Sequence, residues 1–75
     1  MSFPQSNYPI GATWTCVDKQ GRHGWIKLAR RDGNIEMWTY GYSWSDGSGI
    51  QFDWATSYRK ARELHWVTGK FKRKK

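Results

Sequence analysis

Four aromatic residues spaced two apart, Trp38, Tyr40, Tyr42 and Trp44, constrain this chain more than any other feature. Side chains on a β-strand alternate between faces, so a strand from Ile35 to Trp44 carries all four rings on one side. Ile35, Met37, Thr39, Gly41 and Ser43 fall on the other. Asp32-Gly33 stands just before this run and reads as a tight turn, because Gly accepts positive φ without a Cβ clash. The preceding segment, about Arg22 to Arg31, alternates as well. Ile26 and Leu28 share one face with Arg30; His23, Trp25, Lys27 and Ala29 share the other. The two segments read as a hairpin.

The register of that hairpin decides which rings are buried. A two-residue Asp32-Gly33 turn pairs Arg31 with Asn34 and Lys27 with Trp38. Ile26, Leu28, Ile35, Met37 and Thr39 then form an apolar face, opposite one built from His23, Trp25, Lys27, Trp38 and Tyr40. A three-residue turn with Gly33 in a bulge pairs Ile26 with Trp38 and joins the aromatic stripe to Ile26 and Leu28 in a common core. A one-residue slip exchanges the partners of every side chain. The two-residue turn is preferred, since it separates aliphatic from amphipathic groups.

Elsewhere, Ala12 to Asp18 alternates as a first strand, with Trp14 and Cys16 on one face and Thr13, Thr15 and Val17 on the other. Lys19-Gln20-Gly21 is a turn and Ser45-Asp46-Gly47-Ser48-Gly49 a loop. Ile50-Gln51-Phe52 suits a short strand or the approach to a helix. Asp53 has the chemistry of an N-cap, for a helix from Trp54 to about His65 in which Trp54, Tyr58, Ala61 and His65 recur at helical spacing. Trp66-Val67-Thr68 is a last helical turn or a short fourth strand. Residues 1–11, with Pro4 and Pro9, read as a flexible arm, residues 12–69 as one domain, and residues 70–75 as a basic tail, mobile when unbound. The expected fold is α+β, a three-stranded antiparallel meander with one C-terminal helix on one sheet face. A small SH3-like barrel plus helix is the alternative.

Seventy-five residues allow one domain, and a domain this small buries only about 60% of its unfolded surface. Cys16 is the only cysteine, so no internal disulfide compensates, and some of the 6 Trp, 4 Tyr and 3 Phe must serve as core. The formal charge is +7, from 13 Lys and Arg against 6 Asp and Glu. Five of the 13 lie in residues 70–75, which leaves the body with eight basic and six acidic residues, a net of +2. A positive balance favours polyanions, nucleic acid above all. The early residues lack a continuous apolar run and no segment has the length of a membrane span, from which an intracellular (cytoplasmic) protein without membrane association is expected.

Enzyme signatures are absent: the chain has no phosphate loop, nucleophile elbow or metal-spaced Cys/His pair. No catalytic residue, metal ligand or cofactor is expected. Cys16 suits a small buried hydrophobe, His65 a helix C-terminus and His23 a surface turn. The candidate chemistry is binding. Arg22, His23, Trp25, Lys27, Arg30 and Arg31 lie on one strand beside Trp38 and Tyr40 on the next, and Lys70, Lys72, Arg73, Lys74 and Lys75 follow at the end. Cations neutralise phosphates while rings stack on bases or pack on sugars. A two-stranded ribbon or sheet face also fits the major groove of B-DNA. The same pattern suits a half-buried hairpin with solvated ends and a solubilising terminus. Three antiparallel strands followed by a helix is similar, in element order alone, to sheet-reading DNA-binding domains such as the plant AP2 type and the arm-binding domains of some phage-type integrases.

The expectation is therefore a non-enzymatic nucleic-acid-binding protein, with DNA favoured over RNA. The alternative is a protein-interaction module (an inhibitor, an adaptor or a homodimer) that uses exposed aromatics. An aromatic platform for carbohydrate ranks third.

Overall fold

The alternating segments become strands, and so do Gln51–Ala55, where a short strand or the approach to a helix was expected, and Lys72–Lys74, expected as part of a mobile tail. The computed structural model describes residues 8–74. In chain order it contains β1 (Thr13–Val17), β2 (Arg22–Asp32), β3 (Ile35–Trp44), β4 (Gln51–Ala55), α1 (Tyr58–Leu64) and β5 (Lys72–Lys74). The strands form one sheet in the order β4-β3-β2-β1-β5, antiparallel at each pairing. The fold is a small α+β one, and the expected meander is the centre of a sheet of five strands rather than three. β5 returns to pair with β1, and β4 and β5 are the two edges. No helix among the described residues is long and apolar enough to cross a membrane, which leaves β-barrels unaddressed.

The β2–β3 hairpin departs from both expected registers. Asp32 pairs with Ile35, so the turn residues are Gly33 and Asn34, one step later than Asp32-Gly33. Gly33 has φ 57°, and among the described residues no non-glycine residue has positive φ. Positive φ at the first turn position alone is the pattern of a type II′ turn, which demands Gly there. Continued without interruption, this pairing would place Lys27 opposite Tyr40 and build the mixed aromatic and basic face. It is interrupted. Arg30 pairs with Met37 but Leu28 with Trp38, so Ala29 is an extra residue on β2, a β-bulge. Beyond the bulge Ile26 pairs with Tyr40 and Gly24 with Tyr42. The aromatic stripe thus shares a face with Ile26 and Leu28, and the expected open face containing Trp38 and Tyr40 is corrected.

Burial supplies the reason. Trp38, Ile26 and Leu28 are fully enclosed, and Tyr40 is 2% exposed. An aromatic side chain buries roughly 150 Å² or more. At about 25 cal/mol per Å² each such ring stabilises the fold by roughly 4 kcal/mol, an upper figure. A domain with a total stability on the order of 5–10 kcal/mol does not form with both rings in water. Trp14, Ala12, Ala55 and Ala61 complete the core, with Tyr58 and Phe71 packed against it. Trp14 meets Tyr58 at 4.8 Å and Trp38 at 5.7 Å between ring centroids.

The polar rim of this core is also internally satisfied. The Trp38 indole N–H donates to buried Glu36 at 3.3 Å, and Glu36 accepts from the Arg31 guanidinium at 2.7 Å. Arg31 donates in addition to the Tyr8 carbonyl at 2.8 Å. A buried carboxylate requires such partners.

The helix begins later than expected. Trp54 lies in β4, and Ser57 rather than Asp53 is the N-cap, its hydroxyl accepting from the Lys60 amide at 3.0 Å. Asp53 pairs across from Tyr40 within the sheet. Ala61, with no bulk beyond Cβ, lets the helix sit closely on the sheet and is fully buried. The chain then crosses β2 at Gly24, where an added Cβ would lie 3.1 Å from His65, 3.2 Å from Phe71 and 3.3 Å from Val67.

The described residues at both ends pack against the sheet. Lys72–Lys74 pairs with Thr13–Thr15, so this part of the expected mobile tail is an edge strand. Of the expected flexible arm, residues 1–7 lie outside the described residues, as does Lys75 at the other end. Tyr8 packs edge-on against Trp14 at 4.8 Å, and the Gly11 amide donates to the Leu28 carbonyl at 2.8 Å. A chain ending at Gly69 loses β5 and Phe71, and should be destabilised by about 2 kcal/mol in urea unfolding. An unchanged midpoint would show that β5 contributes nothing.

His65 titrates with the fold. The Val67 amide donates to its Nδ1 at 3.0 Å, so Nε2 carries the proton and donates to the Trp25 carbonyl at 3.1 Å. Burial pushes its pKa below the ordinary 6.5; hydrogen bonds to the Trp25 and Gly41 backbone oppose this, and the Arg62 and Arg22 charges add to it. Below pH about 6.5 the unfolded chain therefore binds more protons at this site than the folded one. The melting temperature should be maximal above that pH and fall on acidification towards pH 5, and His65→Gln should flatten this limb. A native curve that stays level from pH 7.5 to 5 would contradict the assignment.

Candidate nucleic-acid interface

With the inner face covered by α1 and the crossing segment, the outer face remains open. Its composition follows from the pairing. One row across all five strands reads Trp54, Thr39, Lys27, Thr13, Lys74. The neighbouring row reads Phe52, Gly41, Trp25, Thr15, Lys72. Each row starts with an aromatic residue on the β4 edge and ends with a lysine on the β5 edge. Phe52 is 58% exposed and Trp54 47%. His23 and Val17 extend the face beyond Trp25, and Arg30 and Met37 extend it beyond Lys27.

Gly41 shapes the centre of this surface. A Cβ there would stand 2.2 Å from the Gln51 carbonyl oxygen, 2.8 Å from the Trp25 ring and 2.9 Å from the Phe52 Cα. The missing side chain lets the Trp25 indole lie across β3 towards Phe52. Beside it, a shallow depression of about 370 Å³ is lined by Thr15, Val17, His23, Trp25, Ser43 and Lys74 among others.

The charge on this face is one-sided. Lys27, Arg30, Lys72 and Lys74 occupy outer positions, and Asp32, ion-paired with Arg30, is the one acidic residue among the described outer strand positions. Both members of that pair are well exposed, at 64% and 60%, so the pair holds Arg30 only weakly. Away from this face, Arg22 and Arg31 are ion-paired with Asp18 and Glu36. Asp18 accepts from Arg22 at 2.6 Å. Burial raises the Asp18 pKa, but hydrogen bonds from Arg22 and from the Gln20 backbone outweigh this and hold it below the ordinary carboxylate value.

Of the residues nominated from sequence, His23, Trp25, Lys27, Arg30, Lys72 and Lys74 come together on the open face. Trp38 and Tyr40 do not, because they form the core. Arg22 and Arg31 point to the inner side, engaged by Asp18 and Glu36. Arg73 also faces inwards, its guanidinium 5.0 Å from the Tyr8 ring centroid and 5.6 Å from that of Trp14. Lys70 is exposed in the segment before β5, and Lys75 lies outside the described residues. Two members of the face, Phe52 and Trp54, were missed. The alternation Ile50-Gln51-Phe52-Asp53-Trp54 is a period-of-two signal, overridden in the sequence reading by the helical spacing of Trp54 with Tyr58. No group of three His, Cys, Asp or Glu residues placed to hold a metal occurs among the described residues.

No protein-family model, curated protein or solved structure matches this chain.

Gly41→Ala tests the geometry of the face. The displaced Gln51 carbonyl and Trp25 ring should lower stability by roughly 2 kcal/mol or more in urea unfolding. A variant as stable as the native protein would show that β4 and Trp25 do not approach Gly41 as described.

Proposed function

We propose that this protein is a non-enzymatic nucleic-acid-binding protein and that the outer sheet face is its interface. The observation that carries this reading is the repeated row: two adjacent lines of side chains, each with an exposed ring at one end and a lysine at the other. Rings supply stacking surface, which tolerates any base, and lysines neutralise phosphates. The sheet's rigidity holds both at fixed spacing without any closing motion. Arg22, Arg31 and Arg73 have structural partners on the inner side and are left out of the interface. The reading rests on Trp25, Lys27, Phe52, Trp54, Lys72 and Lys74, with His23 and Arg30 at the margins. DNA is the first ligand to test.

A protein-interaction module remains the second reading, favoured by one feature: Ile50, Phe52 and Trp54 expose apolar surface at the free β4 edge. Such an interface would respond weakly to salt.

Replacing Lys27, Lys72 and Lys74 together with Ala should leave the fold intact, since all three are exposed. Affinity for DNA should fall about tenfold or more at 0.1 M salt, and the slope of log K against log salt should shrink by roughly two. Arg59→Ala with Lys60→Ala, on the helix, removes two charges away from this face and should change affinity much less. Equal losses in the two variants would reduce the interaction to net charge and remove the outer face from it.

A further inference from the structure

On the nucleic-acid reading of this face, we infer that its ligand is a single strand, laid across the sheet from the β4 rings to the β5 lysines, rather than a duplex. Three features of the face support this.

The first is spacing. Phe52 and Trp54 are two residues apart on one strand, about 7 Å at a rise of about 3.4 Å per residue. Nucleotides of a duplex strand rise about 3.4 Å. Successive bases therefore reach these two rings only when they are unstacked and spread to twice the duplex step. A single strand adopts that spacing freely, whereas a duplex must be disrupted to do so.

The second is width. Five strands at about 4.8 Å place the β4 rings and the β5 lysines roughly 19 Å apart. The major groove of B-DNA is about 12 Å wide, enough for a two-stranded ribbon. Rings and lysines at opposite edges of this sheet do not enter one groove together. A single strand of about four nucleotides crosses the same distance with bases on Trp54, Phe52 and Trp25 and phosphates near Lys27, Lys72 and Lys74.

The third is the form of the aromatic surface. The Trp25 indole lies over the bare backbone at Gly41, within reach of the Phe52 strand. Together with Phe52, 58% exposed, and Trp54, 47% exposed, it offers aromatic area to a ligand. The faces of duplex bases are already covered by their neighbours, while those of an unpaired strand are available.

The test uses fluorescein-labelled dT12, rU12 and a 12-base-pair mixed-sequence DNA duplex, titrated by anisotropy with the full chain at two salt concentrations. Native protein should bind dT12 or rU12 at least tenfold more tightly than the duplex. Phe52→Leu with Trp54→Leu keeps apolar bulk on exposed positions and removes the rings. Circular dichroism should show it folded, and it should lose at least tenfold in single-strand affinity with the salt slope unchanged. Duplex binding equal to or tighter than single-strand binding would overturn this inference and leave the nucleic-acid proposal standing. A single-strand preference that survives the double Leu variant would overturn the stacking geometry. Absence of binding to all three probes at low salt would instead refute the nucleic-acid reading itself.

Discussion

The single extra residue at Ala29 is the constraint on which the rest of the structure depends. Side-chain direction on a strand has a period of two, so one inserted residue reverses which face of β3 meets which face of β2. The Gly33-Asn34 turn by itself would align Trp38 and Tyr40 with Ala29 and Lys27. The bulge, four residues before the turn, undoes that alignment and places Trp38 and Tyr40 beside Leu28 and Ile26. Hydrophobic burial selects the bulged form. It gathers three fully enclosed side chains, Trp38, Ile26 and Leu28, around one layer, and the loss of regular pairing at Ala29 is small beside the burial of two large rings.

Everything that covers the inner face depends on that choice. The two-turn helix is too short to be stable alone and is held by Tyr58 and Ala61 against the sheet. Gly24 lets His65, Val67 and Phe71 pass directly over β2, and His65 ties that crossing to the Trp25 carbonyl. The same Trp25 projects its ring to the opposite face. Its backbone is thereby fixed from the inside while its side chain is presented outside. The inner layer and the candidate interface share this residue, so the interface inherits the rigidity of the core.

The central strands were legible in the sequence because alternation in β1, β2 and β3 is strong and each is bounded by Gly or Asp. Which face of β3 is buried was not legible. Nothing in Leu28-Ala29-Arg30 marks a bulge, since Ala29 is neither Gly nor in a positive-φ conformation. Three of the four residues at apparent helical spacing, Tyr58, Ala61 and His65, do face the core. Trp54 shares that spacing by coincidence, and its alternation with Phe52 was the truer signal. The basic terminus concealed β5, because lysine-rich segments are poor strand formers by composition and pair here through the backbone of β1. On the outer face, Trp25 and Lys27 share one side, as the alternation of β2 implies. Their ring partners had to come from β4, a strand seen only as a possibility.

The two sheet edges are built in opposite ways. Lys72 and Lys74 on β5 are what an exposed edge strand ordinarily carries, since charge discourages pairing with other chains. Stability and solubility alone therefore account for them. They do not account for β4, where Phe52 and Trp54 stand exposed on the other free edge, a feature that invites association and contributes little to the core. A surface shaped only to avoid contact would carry polar residues there, as it does at Gln51 and Asp53 on the same strand. The outward position of both rings, in register with the two lysines across the sheet, ties the unprotected edge to the protected one. The rings are thus the part of the face that folding does not explain, and it is they, more than the lysines, that the proposed nucleic-acid interface has to account for.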